Sequence, residues 1–389
     1  MTRSDPPGSE ASTWVEVSRG ALAHNVHQFL SILGPDVRLG AVVKANAYGH
    51  GLVEVSRVFL DAGAHWLCVN ALYEAEALRG AGIDAPIYVM GSVTPRDAVA
   101  AVRLGCRVVV YRDDVVIALS NAASAAGAQP VPVHIKIETG NNRQGLLPAD
   151  AIAMARRVGD LPGVTLEGLT SHYADIEDTT DHRFARRQLD LFREVAGEIA
   201  ADFGPVPVLH FSNSAAAMLW PETHLDMIRP GISLYGMWPS KETYVSALVH
   251  RVNPMELRPA LTWKTRIAQI KDLAPGESVG YGRSFRATHP MRLAVLSVGY
   301  YDGYDRGLGN HAQVLVGDEL APLVGRVCMN MVMVDVTHVR DVTLDQEVIL
   351  LASDAEGVVS ADRLAEWSGT INYEVTTRIN ERVERRLVD

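Results

Sequence analysis

The chain predicts an α/β fold class: an N-terminal (β/α)8 barrel of the TIM type followed by a mainly β C-terminal domain. Three observations carry this. From about residue 13 to 245 one rhythm repeats, a short apolar and β-branched run, a polar turn, then a helix-compatible stretch rich in alanine and arginine. Over residues 246–389 the pattern changes to longer β-rich segments separated by tight turns. With 389 residues, 48% of them hydrophobic, the chain can bury more than one core.

In chain order, residues 1–12 (MTRSDPPGSEAS) read as a mobile tail, because they offer no apolar periodicity. Eight strands follow at Leu39 to Lys44, Trp66 to Asn70, Ile87 to Met90, Arg107 to Tyr111, Val131 to Glu138, Val164 to Ser171, Val206 to Ser212 and Ile232 to Tyr235. Between them Ala71 to Ala81, Pro95 to Leu104, Ala149 to Val158 and Phe184 to Phe203 space their apolar residues as helices covering a parallel sheet do. An open doubly wound sheet is the alternative, and eight strands favour closure. In the second part LTWKTRIAQI, MRLAVLSVGY, AQVLV, APLVGRVCMNMVMVDV and EVILLA read as strands, Pro275-Gly276-Glu277 and Gly317-Asp318 as turns, and Ala361 to Trp367 as the clear helix.

Composition narrows the function. A net charge of -10 with both signs interspersed argues against nucleic acid or an anionic membrane as the main partner, and favours a small polar substrate. Cys68, Cys106 and Cys328 are far apart and odd in number, so neither a disulfide framework nor a cysteine metal site is indicated. No run approaches the ~20 apolar residues of a membrane span, and the opening lacks the series of a signal peptide, so a cytoplasmic protein is expected.

Barrel enzymes carry their chemistry at the C-terminal ends of the strands. There this chain places Lys44, which closes the apolar run Leu39 to Val43 and opens the loop KANAYGHG. An ammonium at the edge of a buried strand loses solvation, its pKa falls, and it becomes suited to Schiff-base chemistry; the bland alternative is an exposed lysine starting a loop. Lys136 and Arg143 belong to the fifth strand, His172 ends the sixth, Asn213 and Ser214 end the seventh, and Arg229-Pro230-Gly231 precedes the eighth. His172 taken alone reads more readily as a hydrogen-bonded structural histidine, and Ser214 reads equally as a helix N-cap. Helix starts after strands seven and eight suit an anion, since their first N–H groups are unpaired.

In these motifs the chain resembles the alanine racemase family, from Trp14-Val15-Glu16-Val17 to Ile371-Asn372-Tyr373-Glu374-Val375. AVVKANAYGHG is the most specific element, supported in order by KIETGNNRQG, LTSHYA, FSNSAAA, MIRPGISLYG, SVGYG, VGYYDGYDR and GRVCMNMVMVDV. The resemblance implies a cytoplasmic pyridoxal 5'-phosphate enzyme that interconverts L- and D-alanine, with Lys44 carrying the cofactor and serving as one base. It further implies that Tyr48, His172, Asn213, Ser214, Gly231, Ile232 and Tyr373 bind the cofactor, most of them at its phosphate. Arg229 would contact the ring nitrogen and leave it unprotonated, because a guanidinium does not give up its proton.

Racemisation exchanges the Cα proton on both faces, so a second acid/base must oppose Lys44, and the resemblance names Tyr281, assisted by His172. In the family this tyrosine comes from the second subunit, which implies a homodimer with shared sites. Arg143 would fork onto the substrate carboxylate, with Met329 and Tyr300 lining the pocket. Lys136 matches a lysine that is carbamylated in some relatives; an ordinary pair with Glu138 is the alternative. This chain departs from the family at Asn330, where aspartate is usual, and at Glu138, Asn141 and Gln144, so serine or another small amino acid stays open beside alanine. A decarboxylase on this fold is disfavoured by the lack of a C-terminal cysteine and aspartate motif. A non-catalytic cofactor-binding barrel is disfavoured by the second domain.

Overall fold

The computed structural model describes residues 11–249, 255–353 and 357–389. The mobile tail expected over residues 1–12 lies, for residues 1–10, outside the described residues. The chain divides into two compact units, one formed by Leu22–Ala47 and Leu52–Leu257, the other by the chain up to Ala21, Tyr48–Gly51 and Arg258–Asp389.

The first unit is the barrel. Its strands, all parallel, are Arg38–Val42, Trp66–Val69, Ile87–Val89, Arg107–Val110, Val131–Lys136, Val164–Thr170, Val208–His210 and Met227–Ile228, the first seven each paired with the neighbour in chain order and the eighth paired with the first. Hydrogen bonds from Asp226 N to Leu209 O at 3.0 Å and from Arg229 N to Ser212 O at 3.1 Å close the ring between the seventh and eighth. Most of these strands are buried on both faces, which is why they read as continuous apolar runs without alternation. The covering helices bury one stripe each: Arg183–Phe203 presents Ala185, Leu189, Phe192, Val195, Ala196 and Ile199, and a side chain such as Phe192 contributes about 2–3 kcal/mol by leaving water.

The eighth strand is not the one expected. Ile232–Tyr235 forms a turn of 3-10 helix, and the strand is the two-residue Met227–Ile228, so Arg229-Pro230-Gly231 follows the eighth strand rather than preceding it. Burial of all four residues of Ile232–Tyr235 made them look like a core strand, and two residues are too few to show a period.

The second unit is mainly β. Its spine is Leu261–Leu273, whose first half buries alternate residues Leu261, Trp263, Thr265 and Ile267. It pairs antiparallel with Thr13–Ser18, Met291–Leu296 and Glu347–Leu351. Thr13–Ser18, counted with the barrel in the sequence reading, therefore lies in this sheet, where Glu384–Val388 pairs with it in parallel. Gln313–Val316 and Glu319–Pro322 form a hairpin across Gly317-Asp318, and Val332–Asp335 pairs with Met291–Leu296. The run APLVGRVCMNMVMVDV is thus two strands separated by a loop, and Asn372–Thr377 is a short helix in addition to Ala361–Ser368.

Candidate active site

Lys44 stands two residues beyond the first barrel strand, partly buried. The next four residues, Ala45, Asn46, Ala47 and Tyr48, all have positive φ between 51° and 55°. They make one left-handed turn of non-glycine residues, each costing about 1–2 kcal/mol against the right-handed form. The loop is held by outside acceptors. Glu74, buried at the start of helix Leu72–Gly80, takes the N–H of Ala45 at 2.7 Å on one oxygen and those of Asn70 and Ala71 at 2.7 and 3.0 Å on the other. Asn46 Oδ1 accepts from Leu52 N at 2.9 Å. Strain next to Lys44 is thereby offset by charge-assisted hydrogen bonds, which orient the start of the turn.

Around Lys44 the barrel end gathers positive charge. Burial, then the charge of Arg143, pulls the Lys44 pKa below its ordinary value, against the opposing pull of Glu74 and Glu177. Lys136 is nearly fully buried, and burial followed by Arg229 and Arg143 brings its pKa down to about 7, with only Glu138 opposing. His172 is pushed well below 6.5 by burial and by Lys136, Arg229, Arg143 and Lys44 together, so it is a neutral imidazole at pH 7. Arg143 itself is exposed at the tip of a loop that Leu146 N to Lys136 O and Glu138 N to Leu146 O, at 2.9 and 2.8 Å, pinch shut. Lys136, Glu138, Asn141, Arg143, Gln144 and His172 line a narrow pocket there.

Two short helices begin side by side after the seventh and eighth strands. Asn213, not Ser214, is the N-cap of Ser214–Leu219, its Oδ1 accepting from Ala216 N at 2.9 Å. Ser214 is freed for another contact: its Oγ accepts from Gly231 N at 2.9 Å, which ties the first helix to the start of Ile232–Tyr235 and leaves the hydroxyl proton to donate. Deep between them Arg229 gives NH1 to His210 Nδ1 and NH2 to the carbonyls of Ser171 and Phe211, at 2.9 and 3.4 Å.

The remaining expected residues belong to the other unit. Tyr48 and Tyr373 pack with ring centroids 6.1 Å apart. Tyr281 is 73% exposed on a turn entered through Gly280 at φ 67°, a conformation that favours glycine. Tyr300 and Met329, both exposed, lie on adjoining segments joined by Tyr300 N to Cys328 O and Tyr301 N to Met329 O, each 3.0 Å.

Within the barrel unit Lys44, Lys136, Arg143, His172 and Arg229 therefore come within electrostatic reach of one another, and Ser214 meets Gly231. Three residues of this end escaped the sequence reading: Glu74, Glu177 and His210. Glu74 carried a usable signal, since a glutamate at the third position of a helix reaches back to N–H groups before it.

Comparison with known proteins covers nearly the whole chain. Residues 17–239 match the model of the alanine racemase N-terminal domain, and residues 260–387 that of the C-terminal domain. The alanine racemase of Halothermothrix orenii is 38% identical over 373 residues, covering 96% of each chain, and that of Syntrophobacter fumaroxidans 40% identical over 365 residues, covering 94% of each. The solved alanine racemase of Clostridium difficile 630 superposes with a TM-score of 0.91 at 31% identity, covering 97% of this chain and 96% of that one. A lysine of lowered basicity at the end of a barrel strand, the second β unit, and near full-length likeness on both sides lead to one conclusion: the chain belongs to the alanine racemase family.

Proposed function

We propose that the cationic end of the barrel holds pyridoxal 5'-phosphate and that Lys44 and Tyr281 exchange the Cα proton of alanine on opposite faces. The depressed pKa of Lys44 carries the reading, because it enlarges the share of neutral amine, the form that carries a carbonyl cofactor and takes a proton. The donor set fits that group. A phosphate dianion matches the paired helix starts at Ser214 and Ile232, whose first N–H groups have no intrahelical acceptor, together with the Ser214 hydroxyl. The family resemblance would add Tyr48, Tyr373, Gly231 and Ile232 at the phosphate and Asn213 elsewhere on the cofactor, and would give Arg229 to the ring nitrogen.

When bound, the cofactor supplies a conjugated ring that spreads the negative charge developing at the substrate Cα. The chain's residues do the rest. Lys44 Nζ takes or returns the proton on one face. Tyr281 Oη does so on the other, and we assign it to the site of a second copy, so that the active species is a homodimer. His172, held neutral by burial and by the four cations around it, can accept a hydrogen bond from that phenol without competing for its charge. Arg143 would grip the substrate carboxylate, with Met329 and Tyr300 beside it. A carbamate on Lys136 would turn one of four clustered cations into an anion facing Arg143 and Arg229; the neutral amine it requires is present near pH 7.

Asn141 and Gln144 give the Arg143 pocket a polar lining, and this favours testing serine beside alanine. Incubation of the holoenzyme with L-alanine and L-serine in deuterated water, followed by chiral chromatography and mass spectrometry, is the test. Both enantiomers of alanine are expected, each carrying deuterium at Cα. Unlabelled, unchanged L-alanine would overturn the reading.

A further inference from the structure

Arg229 is buried, and among the described residues its guanidinium contacts only neutral groups: His210 and two carbonyls. Its counter-charge lies further away, through the interior of the barrel. His210 Nε2 is 2.7 Å from His134 Nδ1, and His134 Nε2 is 2.9 Å from Glu167 Oε2. Both imidazoles are fully buried. Arg107 Nε stands 3.0 Å from the same Glu167 oxygen, as an ion pair whose alignment is too poor for a hydrogen bond, and its guanidinium lies 4.5 Å over the Trp66 ring.

The protons in this row have one consistent arrangement. A guanidinium can only donate, so His210 Nδ1 must be bare. A neutral His210 then carries its proton on Nε2 and donates to a bare Nδ1 of His134. His134 in turn carries its proton on Nε2 and donates to the carboxylate, which can only accept. The same contacts exclude the doubly protonated forms, since a second proton on His210 would face the Arg229 donor and one on His134 Nδ1 would face the His210 Nε2–H; burial, followed for His210 by the charge of Arg229, lowers both pKa values in the same sense, and the contact of His134 with Glu167 is a hydrogen bond from a neutral ring.

The backbone has two features that make room for this row. Val133 pairs with Leu166 and His134 with Gly168, so Glu167 is an extra, unpaired residue on the sixth strand. Such a bulge re-aims a side chain. A Cβ on Gly168 would lie 2.3 Å from His134 Nδ1 and 2.7 Å from Val208 O, so any side chain there would displace the ring.

We propose that Glu167 is a positioning residue for racemisation, acting through His134 and His210 to fix the proton arrangement that keeps Arg229 oriented toward the cofactor. This rests on the assignment of Arg229 to the cofactor ring. Removal of the acceptor at Glu167 leaves the His134 Nε2–H stranded. The inexpensive remedy is to move its proton to Nδ1, which confronts the Nε2–H of His210 and in turn pushes a proton onto His210 Nδ1, against Arg229.

The test is magic-angle-spinning NMR of the full-length holoenzyme labelled with 15N-histidine, with signals assigned by difference against His134→Gln and His210→Gln, alongside steady-state kinetics. In the unmodified protein both rings are expected to be protonated at Nε2 and bare at Nδ1. Glu167→Met is expected to move the His210 proton to Nδ1 and to lower kcat about 10- to 100-fold, the worth of one hydrogen bond to a charged group, with a smaller change in KM for alanine. Glu167→Gln keeps an acceptor oxygen and is expected to recover the Nε2 forms and most of that kcat. A His210 protonated at Nδ1 in the unmodified protein overturns the proposal without any variant. So does a methionine variant with unaltered tautomers and kcat, or a glutamine variant as impaired as methionine. Failure of the unmodified holoenzyme to racemise would instead count against the proposed function, since the tautomers are read independently of turnover.

Discussion

Lys136→Met isolates the electrostatic cost built into the barrel end. The lysine pKa falls from 10.5 in the unfolded chain to about 7 in the fold. Each unit is worth about 1.4 kcal/mol, so keeping this ammonium charged inside the barrel costs the folded state about 5 kcal/mol. Below pH 7 both states bind the proton and the whole cost is present. Between 7 and 10.5 the unfolded chain holds a proton that the folded one has released, so stability rises with pH. Methionine has nearly the same shape and no titration. The stability of the unmodified protein relative to Lys136→Met should therefore increase by about 2 kcal/mol from pH 6.0 to 8.5. Urea unfolding of both proteins in carbonate-free buffer, at a single fixed protein concentration, measures the difference. Two curves that stay parallel within about 0.5 kcal/mol over that range would refute the depressed pKa, and with it the neutral amine that a carbamate needs.

Three further outcomes are expected. Tyr281→Phe, a change at an exposed ring, should leave the urea midpoint unaltered and slow racemisation about 10²- to 10⁴-fold, while one enantiomer still exchanges its Cα proton with deuterated water through Lys44. Ala45→Gly relieves a left-handed alanine at an exposed position and should raise stability by roughly 1 kcal/mol in urea unfolding. Glu74→Gln turns an amide NH₂ toward an N–H that an oxygen now accepts, and should lower stability by about 2–3 kcal/mol in the same assay.

What the sequence revealed follows from the range of the forces involved. Seven of the eight barrel strands are legible because burial on both faces writes continuous apolar runs into the chain, and such a run needs only its own residues to be seen. The eighth failed on the same logic: Ile232–Tyr235 is as buried as any strand, and burial does not report φ and ψ. Thr13–Ser18 alternates only from Val15 onward, and its partners are some 250 and 370 positions away in the chain, which alternation does not name. Lys44, Arg143, His172 and Arg229 could be singled out because each is a costly residue near the end of a barrel strand, whereas Tyr281 could be named only through the family resemblance. His210 and Glu167 could not be singled out, because each matters through what it meets across the barrel, whereas Glu74 left a local trace as the third residue of a helix. The left-handed turn after Lys44 is the sharpest case. Nothing in Ala-Asn-Ala-Tyr favours positive φ except asparagine, so the conformation is imposed from outside, by a carboxylate 29 residues from the N–H it takes. A local rule is broken there and compensated at a distance, next to the lysine on which the chemistry is proposed to turn.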